Sequence, residues 1–171
     1  RGFLAIIKDE IEKNPKLQHL KPSNPKKCAE TAITLTTGLT IEAIGYGSQA
    51  RGGHPEFIVV DDGLNDEDMY SAITREKHIE YFHSAIENMI TPGGQIMVVG
   101  TPFHNEDLYG ALEKNPIFHF ERFQAIIDEG RPTERALWPE VFPLSALAQN
   151  RQSIGEIRFA RASCQNYEDG Y

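Results

Sequence analysis

Cysteine is scarce in this chain, and so are the signals that mark a secreted or membrane protein. Cys28 and Cys164 are the only two cysteines among 171 residues, and they lack the spacing of a metal-binding pair. We therefore expect free thiols in a reducing compartment. No apolar run reaches the length of a membrane span, and the first residues lack a secretory signal pattern. The sequence predicts neither membrane insertion nor secretion.

Basic residues are few relative to acidic ones. The chain has 17 Lys and Arg against 25 Asp and Glu, a formal net charge of −8. A protein that binds nucleic acid by itself usually presents a basic face, so this balance argues against an autonomous nucleic-acid binder. It does not exclude a motor whose few basic residues are gathered on one surface of a ring.

A phosphate-binding loop of the form G-x-x-x-x-G-K-[ST] is absent from these residues. Such a loop holds nucleotide phosphates with backbone N–H groups and a lysine. We therefore expect no tight ATP binding by these residues alone. The opening Arg1-Gly2-Phe3, without a methionine, leads us to expect that the chain starts inside a longer polypeptide.

What is present suits a single globular domain. Hydrophobic residues make up 40% and charged residues 25% of the chain, which is ordinary and is enough to bury a core. Hydrophobic periodicity and turn residues predict alternating helices and strands without internal repeats. The predicted helices are 3–11, 69–90, 106–112 and one opened by a capping box at 153–156; the predicted strands are 32–35, 39–44, 57–60, 95–99 and 118–127.

A strand, a long helix and a second strand follow one another between residues 57 and 99. The first strand, Phe57-Ile58-Val59-Val60, is a continuous apolar run, typical of a fully buried strand in a parallel sheet. A right-handed βαβ unit is therefore expected, which makes the fold class α/β with an at least partly parallel sheet. The helix is predicted to have one apolar face, made of Ile73, Ile79, Phe82, Ile86 and Met89.

Two adjacent carboxylates, Asp61 and Asp62, directly follow the first of these strands. Ligands of open α/β sheets bind beyond the carboxyl ends of the strands, so acids at this position favour a cation such as nucleotide-bound Mg²⁺. Asp61 is placed to hold Mg²⁺, largely through its water shell. Asp62 is then placed to orient the attacking water. The pattern has the form of a Walker B motif.

Other interpretations of these acids compete with that one. Asp61-Asp62-Gly63 is also a favoured turn sequence. A two-metal nuclease could recruit Asp66 and Asp68 as well, although these two acids more simply cap the following helix. A calcium loop is disfavoured, because the D-x-[DN]-x-[DN]-G spacing is not met when it is started at Asp61 or at Asp62.

Three further residues are candidates for the same site. Thr101 follows Gly100 at the end of the second strand, where its hydroxyl can hydrogen-bond a γ-phosphate or the attacking water, or can simply form a turn. Arg51 lies in a glycine-rich stretch ahead of the first strand, where it is either an arginine finger or an ordinary surface arginine. His104 lies in the loop that leads to Asp107 and can contact a substrate, although a lone loop histidine is usually solvated.

Several short segments follow one another from about residue 45 to the end of the chain. They are RGGHPEFIVVDD (51–62), SAITREK (71–77), PGG (92–94), VVGTPFHNEDL (98–108), ALWPEVFP (136–143), IGEIRF (154–159) and QNY (165–167). In this order and spacing, they resemble the large terminase subunit of tailed bacteriophages. No single segment is decisive, but their order and spacing together are specific.

The resemblance implies an ASCE-type, RecA-like ATPase, a three-layer sandwich with a mainly parallel sheet that is incomplete here on its N-terminal side. It implies ATP and Mg²⁺ as cofactors, with Asp61 as the Mg²⁺ ligand and Asp62 as the acid that activates water. The family usually has the longer glutamate at this second position, and Glu67 is an alternative. Thr101 corresponds to the threonine of the coupling motif, and Arg51 to an arginine that acts across a subunit boundary.

The resemblance also implies an organisation and partners. Residues 1–127 would belong to an ATPase domain, and residues 128–171 would form lid or linker helices leading toward an absent nuclease domain. The implied partners are double-stranded DNA, a portal protein, a small terminase subunit and further copies in a ring on the procapsid. The expected location is the host cytoplasm, with transient docking on the procapsid. We expect the chain alone to be inactive.

Two other classes of function stay open at this point. A metal-dependent nuclease would use Asp61, Asp62 and Asp66 and would nick DNA without nucleotide. A degenerate structural or interaction module would keep the fold and have lost the chemistry. The acidic pair by itself is compatible with both.

Overall fold

The computed structural model describes residues 2–22, 31–48, 53–65 and 70–163. The chain divides into two compact units, Arg1–Gly52 and Gly53–Tyr171, and each is described separately. The first unit contains helix α1 (Phe3–Lys13), a short 3₁₀ helix (Gln18–Leu20) and strands β1 (Ala32–Thr34) and β2 (Thr40–Glu42). The functional boundary between residues 127 and 128 stays a prediction.

The first unit has a small core between α1 and the β1–β2 hairpin. Leu4 and Ile11 of the helix pack with Ile33 and Leu35. The helix ends at its C-cap residue Asn14, since the following proline favours an extended residue before it and has no N–H to donate. The strands pair antiparallel. The predicted helix and hairpin are both confirmed.

The second unit holds the elements on which the candidate site depends. Its strands are β3 (Phe57–Asp61), β4 (Gln95–Val99), β5 (Ile126–Ile127) and β6 (Arg135–Ala136). Its helical segments are α2 (Ala72–Tyr81), a π-helical turn (Phe82–Ile86), α3 (Glu87–Met89), α4 (Leu108–Lys114), α5 (Leu144–Ile154) and α6 (Glu156–Ala162).

Strands β3 and β4 form a parallel pair, and the helical stretch from α2 to α3 connects them. Their register runs from Phe57 opposite Gln95 to Asp61 opposite Val99. The starts of the strands are also held together, because the N–H of Thr91 donates to Pro55 O at 3.0 Å. The predicted strand–helix–strand order and the parallel pairing are confirmed.

The prediction that the β3 strand is fully buried is wrong. Phe57 and Val59 are 54% and 51% exposed, whereas Val60 is 6% exposed. Side chains alternate between the two faces of a sheet, and only one face of this pair packs against the rest of the described unit. Met97 and Val99 of β4 are exposed on the same face as Phe57 and Val59.

The long helix is confirmed from Ala72 onward, but its predicted apolar face is wrong at its first member. Ile73 is 70% exposed, whereas Arg75 is 8% exposed and Phe82 is 0% exposed. Two residues correspond to about 200° around a helix, so Ile73 and Arg75 lie on nearly opposite sides. The N-cap is Ser71, whose Oγ accepts the N–H of Thr74 at 3.4 Å.

The C-terminal part of the unit departs most from expectation. The predicted strand over residues 118–127 is wrong except for Ile126–Ile127, which pair antiparallel with Arg135–Ala136. The capping box is also wrong, because Ser153 lies inside α5, a helix that periodicity did not predict. Gly155, with φ of 85°, ends that helix, a backbone conformation that favours glycine.

The β5–β6 pair and the last two helices share a core of Ile126, Ala136, Leu147 and Phe159. Arg151 lies over the ring of Phe159, 4.5 Å from its centroid, and pairs with Glu129 at 2.5 Å. The planar guanidinium of Arg151 can lie over the aromatic ring and pair with the carboxylate at the same time, while its aliphatic stem can pack against apolar surface.

Taken over the described ranges, the protein is a mixed α/β chain with three two-stranded sheets, of which β3–β4 is parallel. This agrees with the α/β class at a coarse level, and the RecA-like three-layer sandwich stays a prediction. None of the helices in the described ranges is long and apolar enough to cross a membrane.

Candidate functional site at the carboxyl ends of β3 and β4

The register of the parallel pair places the predicted strand-end residues at one edge. Asp61 lies opposite Val99, so Asp62 and Gly100 come next on their respective strands. The N–H of Asp62 donates to Val99 O at 2.9 Å, which extends the pairing by one residue. Thr101 follows directly. The expectation that Asp61, Asp62, Gly100 and Thr101 gather at the same sheet edge is therefore met.

Asp62 adopts a left-handed backbone conformation with φ of 49°. Aspartate tolerates this region better than most residues because its short side chain can hydrogen-bond locally. The strand therefore turns sharply after Asp61, and both Asp61 and Asp62 are solvent-exposed. The geometry agrees with the turn that the sequence allowed, and it leaves both carboxylates accessible to a ligand.

Several predicted residues lie outside the part of the chain that the structure describes. These are the proposed arginine finger Arg51, the alternative acid Glu67, and the acids Asp66 and Asp68. Their roles stay predictions.

Asp107 organises the loop that follows β4. Its side chain is 0% exposed and serves as the N-cap of α4, where Oδ1 accepts the N–H of Gly110 at 3.0 Å. Oδ2 accepts the N–H groups of Phe103 at 2.8 Å and of His104 at 3.1 Å. Hydrogen bonds to a charged acceptor are stronger than neutral ones. Asp107 therefore has a structural role in fixing the loop that carries Thr101.

His104, which the sequence offered as a substrate contact, is engaged within this loop. Its Nδ1 accepts the N–H of Glu106 at 3.0 Å. A nitrogen that accepts this bond carries no proton, so a neutral ring has its proton on Nε2. The ring is half-buried, in contrast to the solvated histidine that is usual for a loop.

Tyr109 contacts the strand end, and sequence reasoning missed it. A Cβ placed on Gly100 would lie 1.8 Å from Tyr109 Oη and 2.6 Å from its Cζ. The phenol therefore occupies the space beside the backbone of Gly100, which explains why glycine is needed there. Tyr109 is 5% exposed, and its place at the second position of a short helix gave no signal of this contact.

Arg75 is a second residue that sequence reasoning missed. Its Nη2 donates to Glu106 Oε2 at 2.9 Å, which joins α2 to the loop after β4. The side chain of Arg75 is 9% exposed and that of Glu106 is 71% exposed. Helical periodicity placed Ile73 on the buried face instead, because an arginine is rarely buried unless it is paired.

The exposed carboxylates at this edge are side chains of a kind that can bind Mg²⁺. Within the described ranges, no group of three or more His, Cys, Asp or Glu side chains is arranged to hold a metal ion. Mg²⁺ is commonly bound by one or two carboxylates together with water and substrate phosphates. Asp61 and Asp62, exposed at the strand end, match that pattern.

No protein-family model matches this chain, and no curated protein matches it. The function is therefore inferred from the residues and their arrangement.

Proposed function

We propose that this chain is part of a DNA-packaging ATPase of the large-terminase kind, which couples ATP hydrolysis to the movement of double-stranded DNA into a procapsid. One observation carries the proposal. The acidic pair Asp61-Asp62 and the Gly100-Thr101 pair end neighbouring parallel strands joined by a helical crossover, which is where α/β proteins bind their ligands.

The roles follow from the chemistry of each side chain. Asp61 holds Mg²⁺, which, when bound, neutralises charge on the nucleotide phosphates. Asp62 orients the attacking water, and the Thr101 hydroxyl contacts the γ-phosphate or that water. Arg51 acts as an arginine finger toward a neighbouring subunit. Phosphoryl transfer needs mainly positioning and electrostatic stabilisation from the protein, and these residue types supply both.

The exposed face of β3–β4 supports a RecA-like three-layer fold. Parallel sheets are almost always covered on both faces, yet here Phe57, Val59, Met97 and Val99 are between 43% and 54% exposed. An apolar face of this kind is what a further layer of such a sandwich would cover. We propose that the complete motor contains such a layer and a phosphate-binding loop.

The proposed partners are double-stranded DNA, a portal protein, a small terminase subunit and further copies of the motor in a ring docked on the procapsid in the host cytoplasm. The net charge of −8 makes binding to DNA by this chain alone unfavourable. We propose that the assembled ring binds the DNA.

The test is ATP hydrolysis by the protein expressed from the complete reading frame that contains these residues. We expect Asp61→Asn to lower kcat by at least about 100-fold, since it removes the carboxylate that holds Mg²⁺. Asp128→Asn is the control, because Asp128 is likewise an exposed aspartate at the end of a strand, directly after β5, and lies outside the proposed site. Equal activity of the Asp61→Asn variant and the control would contradict the proposal.

A further inference from the structure

We propose that Tyr109 is a positioning residue that fixes the Gly100-Thr101 strand end, and through it the Thr101 hydroxyl, relative to Asp61. The importance of Thr101 rests on the proposed function, whereas the contact between Tyr109 and Gly100 stands on the geometry alone.

The contact between the phenol of Tyr109 and the backbone of Gly100 is tight. A Cβ on Gly100 would lie 1.8 Å from Oη, 2.6 Å from Cζ and 3.2 Å from Cε1 of Tyr109, so the ring end fills the space beside this backbone. Only 5% of the surface of Tyr109 is exposed, so the ring is buried next to the strand end. Buried side chains are close-packed, so a shift of Tyr109 is passed directly to the strand end.

The helix that carries Tyr109 is itself held to the loop. The Asp107 carboxylate accepts the N–H of Gly110 on one oxygen and those of Phe103 and His104 on the other. A Cβ on Gly110 would lie 2.2 Å from Asn105 O, so the backbones of helix and loop lie close together at the residue after Tyr109. Residues 100–110 therefore form one packed segment, with Thr101 at one end and the first turn of α4 at the other.

This segment is also anchored outside itself. Glu106 accepts a hydrogen bond from the buried Arg75 of α2 at 2.9 Å. The direction of the strand end is thus set by Tyr109 from α4, and the loop is held by Arg75 from the crossover helix. Thr101 lies just beyond the end of β4, where its hydroxyl can contact a bound phosphate. Tyr109 holds Thr101 in this position through its contact with Gly100.

The first experiment uses this chain and does not depend on ATP hydrolysis. Tyr109→Phe removes only Oη, the atom nearest to Gly100, and Tyr81→Phe is the control, a half-buried tyrosine at the end of α2. We expect the backbone N–H order parameters of Gly100 and Thr101 to fall from about 0.85 to below about 0.6 in Tyr109→Phe only. Unchanged order parameters would overturn the proposal.

A compensating pair of substitutions keeps the test decisive if a single variant folds poorly. Gly100→Ala should lower the urea midpoint, because its Cβ meets the phenol. In the Tyr109→Leu background the ring is gone. Adding Gly100→Ala there should lower the urea midpoint by at most half as much as Gly100→Ala does in the wild type. If the loss in the double variant equals the sum of the losses in the two single variants, Gly100 and Tyr109 do not interact.

The second experiment measures ATP hydrolysis by the complete reading frame. We expect Tyr109→Phe to lower kcat by between about 10-fold and about 100-fold with KM unchanged, since a displacement of about 1 Å in a positioned group has an effect of this size. A fall in kcat that only tracks the unfolded fraction would reduce Tyr109 to a structural residue. A wild-type protein without activity would overturn the proposed function, while the order parameters would still decide the contact.

Discussion

The guanidinium of Arg75 and the carboxylate of Glu106 meet at 2.9 Å and join the helix that follows β3 to the loop that follows β4. One partner is buried and the other exposed, with side chains 9% and 71% accessible. The pair therefore differs from a surface ion pair, because the cation has little water to replace a lost carboxylate. The pair therefore holds the loop that carries Thr101 to α2.

We predict that Glu106→Gln lowers the free energy of unfolding by about 1 kcal/mol, since it replaces a charge-assisted hydrogen bond with a neutral one. Urea denaturation measures the change. Glu121→Gln is the control, because the His119–Glu121 pair is 85% and 60% exposed, and such pairs contribute little. Equal effects of the two substitutions would show that burial of Arg75 gives the pair no additional strength.

We predict a larger loss for Asp107→Ala, about 3 kcal/mol, because three backbone N–H groups lose their acceptor where the side chain is 0% exposed. Asp107→Asn keeps one oxygen acceptor but turns an NH2 group toward the N–H groups that the other oxygen accepted, so it should lose about 2 kcal/mol. Thermal unfolding followed by circular dichroism measures both.

Ser71→Ala provides the comparison for Asp107, since Ser71 caps α2 through a single bond of 3.4 Å to the N–H of Thr74 at an exposed position. We expect a loss below about 1 kcal/mol there. A ranking in which Ser71→Ala is the more damaging would contradict the structural role given to Asp107.

The parts of the site that the sequence predicted depend on short-range patterns. An apolar run ending in two acids predicted β3 and its strand-end carboxylates, and a second such run predicted Gly100 and Thr101. The βαβ order then required both strand ends to share one edge. Each step used residues adjacent in the chain, which is why it held.

The parts that were missed depend on contacts between residues that periodicity cannot relate. Tyr109 touches Gly100 from the far side of a loop, and Arg75 reaches a glutamate in a different element. The same limit explains the burial errors. An apolar run gives no sign that one face of its strand is exposed. Ser153 and Glu156 have the spacing of a capping box, although Ser153 lies inside α5 and Glu156 begins α6.

We predict that Gly110→Ala disrupts the α4 segment strongly, by about 3 kcal/mol or more. Its Cβ would lie 2.2 Å from Asn105 O, which is a backbone atom that cannot rotate away, so the helix must shift. Gly53→Ala is the matched control, because nothing lies within 4 Å of the added atom, and we expect a change within about 0.5 kcal/mol. Urea midpoints compare the two, and a tolerated Gly110→Ala would mean that loop and helix can separate.

We predict that the purified 171-residue chain hydrolyses ATP no faster than a buffer blank containing Mg²⁺, and that it does not nick supercoiled plasmid. The reason is chemical: these residues contain no phosphate-binding loop, so the nucleotide is not held against Asp61 and Thr101. Phosphate release and agarose gels measure the two activities. Robust Mg²⁺-dependent ATP turnover abolished by Asp61→Ala would show that the chain is a complete ATPase. Nicking without nucleotide, lost in the same variant, would instead assign Asp61 and Asp62 to a nuclease, because only that chemistry needs the metal without a nucleotide.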